Sequence, residues 1–241
     1  MNFDRVMQLF GELDRFGVEY VVVGGVALNY HGLVRATEDV NLFVRPTEDN
    51  VARLRRALRA VWADPEVDII TAADLAGNYP TVRYGPPAED FVVDILSRLE
   101  STFRFYDIEA EMLVIDGIPV RVATPGMLFR MKSGRSGRST GPTPRHCGKP
   151  LTWRRSPMAV TRFTSLDEAR RELFAHPADA LLAARIRLLW SFAGRLVPAG
   201  TPQGIARFQS IEEANAARAA WVKRRAQALR AGGAIRSTRR A

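Results

Sequence analysis

Apolar positions in the first 130 residues switch repeatedly between helical and strand spacing. Phe3, Val6, Met7, Phe10 and Leu13 recur at three- and four-residue intervals, which predicts an amphipathic helix over 3–16 that Gly17 ends. Tyr20 to Val23 is a continuous apolar run of strand length. A short helix over 26–31 and a second strand over 39–44 follow. Thr47, with acids behind it, caps a helix to about Val61 whose Val51, Leu54, Leu58 and Val61 point inward. Then come a short strand at 67–70, one helical turn at 71–75, a strand at 81–84, a Gly85–Pro87 turn and a strongly apolar strand at 91–96. Two apolar runs, 112–115 and 118–122, flank Asp116-Gly117 and predict a hairpin. Thr124-Pro125 opens a helix through Leu128 and Met131. The mixture predicts an α/β (α+β) architecture, a mixed sheet flanked by helices.

The pattern stops after Lys132. Residues 133–157 hold no acid, almost no apolar periodicity and many Gly, Pro, Ser and Arg, a composition that predicts a disordered basic linker. Order, charge balance and apolar pattern vanish together there, which motivates the hypothesis that this stretch is a frame-shifted reading of a helix-coding sequence. Sequencing the locus tests it: an upstream frame open and in phase through residue 157 refutes it. From Met158 the sequence is protein-like again. Ser165 with Glu168, and Ser210 with Glu213, form capping boxes that open helices to about Ala175 and Ala231, the second with Trp221 inward. Between them, 177–196 predicts a helix apolar almost all round, hence buried against a partner, and 198–204 a loop. The expected division is 1–132, a linker at 133–157, a small α-helical region at 158–231 and a loose basic tail at 232–241. The restart at Met158 suggests two adjacent reading frames joined as one chain.

Charge changes this picture more than composition does. The whole chain is +9, but residues 1–130 carry 13 Arg/Lys against 20 Asp/Glu, a net of −7. Residues 131–157 carry 7 basic and no acidic residues, and 158–241 carry 15 basic and 6 acidic, a net of +9. Basic character therefore belongs to the C-terminal half, which either attracts nucleic acid or docks on the acidic half. No stretch approaches the ~20 apolar residues a membrane helix needs. The N-terminus shows no signal-peptide pattern. Cys147 is the single cysteine, which leaves no internal disulfide and no multi-cysteine zinc site. These features predict a cytoplasmic protein with no membrane association.

Candidate chemistry concentrates between residues 20 and 96. Gly24-Gly25 at a strand end lets the backbone turn tightly and approach a ligand, and the free N–H groups beyond it suit a phosphate. Alternation puts Asp39 and Asn41 on one strand face. Asp94 interrupts an apolar strand, where a carboxylate is costly unless paired or bound to metal; the alternative is an Asp capping the next turn. Arg35 either meets phosphate or forms a surface ion pair with Glu38. Thr37 braces the Asp39 strand by a local hydrogen bond, and His31 is read as structural. His146 and Cys147 adjoin without further ligands and are assigned no role.

The run Gly24-Gly25-Val26-Ala27, eleven residues, then Asp39-Val40-Asn41-Leu42 resembles the motif of the minimal (DNA polymerase β-like) nucleotidyltransferase superfamily. Its inner wording, His31-Gly32-x-x-Arg35-x-Thr37-x-Asp39, is similar to the toxin branch of abortive-infection and MNT-type enzymes. The resemblance covers roughly residues 5–132. It implies magnesium-dependent transfer of a nucleoside monophosphate from a nucleoside triphosphate to a tRNA end or a partner protein side chain. Asp39, Asn41 and Asp94 would be the catalytic, metal-binding set, and Gly24, Gly25, Arg35, Thr37 and Lys132 would contact nucleotide. Asn41 stands where the family has its second carboxylate, which weakens at least one metal. Two readings stay open: an enzyme with a degraded Mg2+ site, or an inactive binding and interaction protein. Residues 204–215 resemble small helical proteins encoded beside such enzymes, which implies a cognate antitoxin partner.

Overall fold

The computed structural model of the chain describes residues 1–77, 79–99, 103–134, 179–196 and 200–237. Nearly all of the expected linker, the helix expected over 165–175 and the last residues of the expected tail lie outside these.

Strand β1 (Tyr20–Val23) runs antiparallel to β2 (Asp39–Val44), which lies parallel to β4 (Val92–Leu96); β3 (Thr81–Gly85) returns antiparallel to β4. A small ribbon, β5 (Arg98–Leu99) with β6 (Phe103–Arg104), stands apart. The hairpin β7 (Ala110–Ile115) and β8 (Ile118–Ala123) joins the other side through a parallel β8–β1 contact. Its turn holds Asp116 at φ 50° and Gly117 at φ 81°, the positive-φ pair a two-residue hairpin needs. With β9 (Gly204–Phe208) the seven strands run β7-β8-β1-β2-β4-β3-β9. The mixed sheet flanked by helices matches the expectation.

Alternation along β2 assigns the two faces. Val40, Leu42 and Val44 enter a core roofed by α1 (Phe3–Arg15), α2 (Gly24–Tyr30) and α3 (Glu48–Trp62). Helix α6 (Leu182–Leu196) adds Leu182, Ile186 and Trp190 to that core. Phe43 and Leu96 point the other way, into a second core closed by Met127 and Met131 of α5 (Pro125–Gly134) and by Ile211 and Ala214 of α7 (Ile211–Ser237). Asp39, Asn41 and Asp94 belong to this second face. Short helix α4 (Ala72–Ala76) precedes β3.

Several local expectations are corrected. Residues 65–69 form a 3-10 turn rather than a strand, because Pro65 presets φ and the Asp64 carboxylate accepts from the Glu66 N–H. Gly85 ends β3 instead of starting a turn, since it pairs with Gly204 of β9, a strand the apolar pattern did not indicate. Helix α6 is buried on one face only; Leu188 and Phe192 are exposed, against the expected all-round burial. Helix α2 starts on Gly24 itself, Thr47 makes no side-chain cap to α3, and α7 runs on to Ser237. Ser210 does cap α7, accepting from the Glu213 N–H at 3.1 Å, while Glu213 reaches back to the Gln209 N–H at 2.7 Å.

Candidate active site

The parallel β2–β4 register sets Asn41 opposite Asp94 and Asp39 opposite Val92. Residues opposite each other in a ladder, and those two apart along a strand, share a face. Asp39, Asn41 and Asp94 therefore lie together on the second face of the sheet, next to the end of β1. The diglycine turn sits directly on them. A Cβ on Gly24, which holds φ +71°, would meet Asn41 Nδ2 at 2.8 Å, and one on Gly25 would meet Thr37 Oγ1 at 2.7 Å. Glycine is needed at both positions for the turn to lie on β2 and the segment leading into it.

Each acid is already paired. Thr37 donates its hydroxyl to Asp39 Oδ1 at 2.7 Å, as the expected brace. Asn41 donates its side-chain N–H to Asp39 Oδ2 at 3.0 Å, and Arg218 of α7 donates to the same oxygen at 2.6 Å. Burial pushes the Asp39 carboxyl up, but the Arg218 charge and the Thr37, Asn41 and Arg218 hydrogen bonds outweigh it and hold the group below its ordinary range. Asp94 accepts a bidentate pair from Arg83 of β3, at 2.7 and 3.0 Å, with both side chains buried. Burial raises Asp94; the Arg83 bonds and charge oppose the rise, and the nearby Asp39 adds to it.

Arg83 and Arg218 are the site residues sequence reasoning missed. Arg83 had a signal: in Thr81–Gly85 it alternates with buried Val82 and Tyr84, so it faces the same way as an acid on the adjacent strand. Arg218 had only the charge contrast between the two halves of the chain.

The remaining candidates fall into two groups. Arg35 has no carboxylate partner among the described residues; Glu38, its expected alternative, pairs instead with Arg225 of α7 at 3.1 Å. With Thr37, Glu38, Gly194, Arg218 and Arg225, Arg35 lines a cavity of about 260 Å³ beside the acids. His31 places Nε2 2.8 Å from the Ala123 carbonyl, a structural contact tying α2 to β8. Lys132, exposed near the end of α5, does not line this cavity.

The acids do not present themselves as a cation cradle in this arrangement. Among the described residues no three His, Cys, Asp or Glu side chains converge as a metal cluster. Both carboxylates are neutralised by guanidinium groups, and Asn41 turns a donor, not an oxygen, toward Asp39. A divalent cation wants hard oxygen ligands, and this donor set withholds them.

No curated protein sequence and no solved structure matches the chain. A family profile does: that described as the nucleotidyl transferase AbiEii toxin of type IV toxin–antitoxin systems matches residues 9–132, from α1 through the diglycine turn and all three site strands to α5. The match spans just over half of the chain and ends where the apolar pattern of the sequence stops. By that match and by the fold that carries it, the chain belongs to the AbiEii nucleotidyltransferase toxin family.

Proposed function

We propose that residues 1–132 transfer a nucleoside monophosphate from a nucleoside triphosphate to an acceptor hydroxyl, on a tRNA end or a protein side chain, with pyrophosphate leaving. The observation that carries this reading is the convergence of Asp39 and Asp94 on one sheet face beside Gly24-Gly25. The diglycine leaves backbone N–H groups unshielded for the triphosphate. Arg35, free of any carboxylate partner among the described residues, lines the cavity bordered by Thr37 and Arg218 and supplies positive charge to phosphate oxygens there. Asp39, kept ionised by its neighbours, orients the acceptor hydroxyl by accepting its proton in a hydrogen bond. Mg2+ is the cofactor the family implies. The present pairing of the acids with Arg83 and Arg218 does not fit it. A cognate antitoxin is the partner that membership in a toxin family suggests. No helix among the described residues is long and apolar enough to cross a membrane.

A second reading has its own observation. Asn41 replaces a carboxylate, and the two remaining acids are spoken for, which favours a binding protein that has lost transfer. Labelled-nucleotide incorporation into total tRNA and protein separates the two, using wild type, Asn41→Asp and Asp39→Ala. Transfer restored or raised by Asn41→Asp and abolished by Asp39→Ala supports the enzyme. No incorporation by wild type or Asn41→Asp supports the binder, and incorporation undiminished by Asp39→Ala refutes the site.

A further inference from the structure

The β3 edge of the sheet is completed by a strand, and the second face is crossed by a helix, both from the C-terminal half of the chain. Strand β9 pairs with β3 along five residues, from Thr81 opposite Phe208 to Gly85 opposite Gly204. A Cβ on Gly85 would lie 1.8 Å from the Pro202 carbonyl oxygen, so only glycine there lets residues 202–204 pass. Arg207 fastens β9 to Asp74 at 2.8 Å. Helix α7 then crosses the acids with one stripe of residues. Ala214 is buried and its carbonyl faces Arg83, Arg218 holds Asp39, Trp221 donates to the Gly200 carbonyl at 2.6 Å, and Arg225 holds Glu38. These positions are spaced four, three and four apart, one face of a helix.

We propose that the β3 edge together with the Asp39 face is an interaction surface for a strand followed by a basic helix, and that residues 200–237 of this chain occupy it as an inhibitory element whose Arg218 stands in the place of a cation. The proposal rests on the transferase reading of that face. A guanidinium 2.6 Å from Asp39 Oδ2 and a divalent ion bound through the same oxygen exclude each other. The strand contact supplies affinity through main-chain hydrogen bonds and the helix supplies the charge. Coverage is incomplete. Arg218 is about one-third exposed, and the adjoining cavity holds two buried polar atoms without a partner, Arg225 Nε and Thr201 Oγ1. A ligand carrying both a cation for Asp39 and phosphate for the arginines competes with the contact at both ends.

Mn2+ binding by the full-length chain, followed by electron paramagnetic resonance, is the test. Two variants remove the element by independent means: Arg218→Ala deletes the charge, and Gly85→Val blocks the path of residues 202–204. Both are expected to tighten Mn2+ binding by roughly fivefold, the scale on which releasing a partly exposed charge pair acts. Adding Asp39→Ala to either is expected to cancel the gain, with thermal melts confirming that each variant is folded. Unchanged Mn2+ binding in both variants overturns the proposal. So does a gain with Arg218→Ala alone, which makes Arg218 a local charge and not part of a docked element, or a gain that survives Asp39→Ala. The transferase reading fails separately: a gain in Mn2+ binding without nucleotide incorporation by any variant leaves the inhibitory element standing and removes the reaction, while incorporation by Asn41→Asp with no gain on Arg218→Ala does the reverse.

Discussion

Two carboxylates on one sheet face are each matched by an arginine, and the two matches differ in origin. Asp94 takes Arg83 from the neighbouring strand, directly opposite in the ladder, with both side chains under a tenth exposed. Asp39 takes Arg218 from a helix 179 residues further along, through a single bond to a guanidinium a third exposed. The first pair is built into the sheet: once β3 and β4 pair, the charges have nowhere else to go. The second is brought in by a segment held otherwise by one edge strand and a few side chains. A charge pair of the first kind is part of the fold, and one of the second kind is part of an equilibrium.

The sharpest way to break this contrast is to delete each arginine in turn. Arg83→Ala leaves a buried, uncompensated Asp94 and is expected to cost about 3–5 kcal/mol, read as a large fall in the denaturation midpoint. Replacing both partners with similar-sized neutral groups, Arg83→Met with Asp94→Asn, is expected to recover most of that loss, because no lone charge remains. If Arg83→Ala proves nearly silent, the Asp94 pair is not structural and the contrast collapses. Gly25→Val tests the other fixed part of the site. Its Cβ would crowd Thr37 Oγ1 at 2.7 Å, so a loss of about 1–3 kcal/mol is expected from overpacking, with nucleotide incorporation lost as the turn lifts away from Asp39.

The same contrast explains what the sequence made legible. Period-two alternation placed Asp39 with Asn41, and the cost of a carboxylate in an apolar strand singled out Asp94; both follow from a few neighbouring residues. Arg83 obeys the same alternation and was overlooked because an arginine between Val82 and Tyr84 reads as a solvated edge until its neighbour strand is known. Strand β9 is short and bracketed by Gly204 and Ser210, so it has no identity apart from the β3 edge it completes. The Arg218–Asp39 pair is longer in range still. No local pattern encodes it, and the −7 and +9 segment charges left open whether the basic half sought nucleic acid or the acidic half of its own chain. Among the described residues the second outcome is seen repeatedly: Arg187 with Asp4 and Asp116, Arg207 with Asp74, Arg218 with Asp39, Arg225 with Glu38. The misread at 67–70 is of the opposite kind. An apolar triplet suggested a strand, while Asp64-Pro65 just upstream had already fixed a tight turn.

The smallest effect is expected for Arg218→Ala, at most about 1 kcal/mol near neutral pH, because a partly exposed pair is weak. Its pH dependence discriminates more than its size. With Arg218 in place, the folded-state Asp39 carboxyl lies below its ordinary value of 3.8. A depressed carboxylate contributes stability that is complete above the unfolded value and is lost as pH falls through the folded one. Without Arg218, burial is opposed by the Thr37 and Asn41 hydrogen bonds alone, so the Asp39 value moves up and less stability is lost on acidification. Wild type is therefore expected to lead the variant in melting temperature at neutral pH and to lose that lead as pH falls through the carboxylate range. Asp94 moves the same way: without the lowering effect of the Arg218 charge it rises further, which adds to the wild-type lead at neutral pH and to the loss of that lead on acidification. A melting-temperature gap that stays constant from pH 7 down to pH 3 would mean that Arg218 stabilises α7 through packing of its aliphatic stem, with the charge on Asp39 incidental.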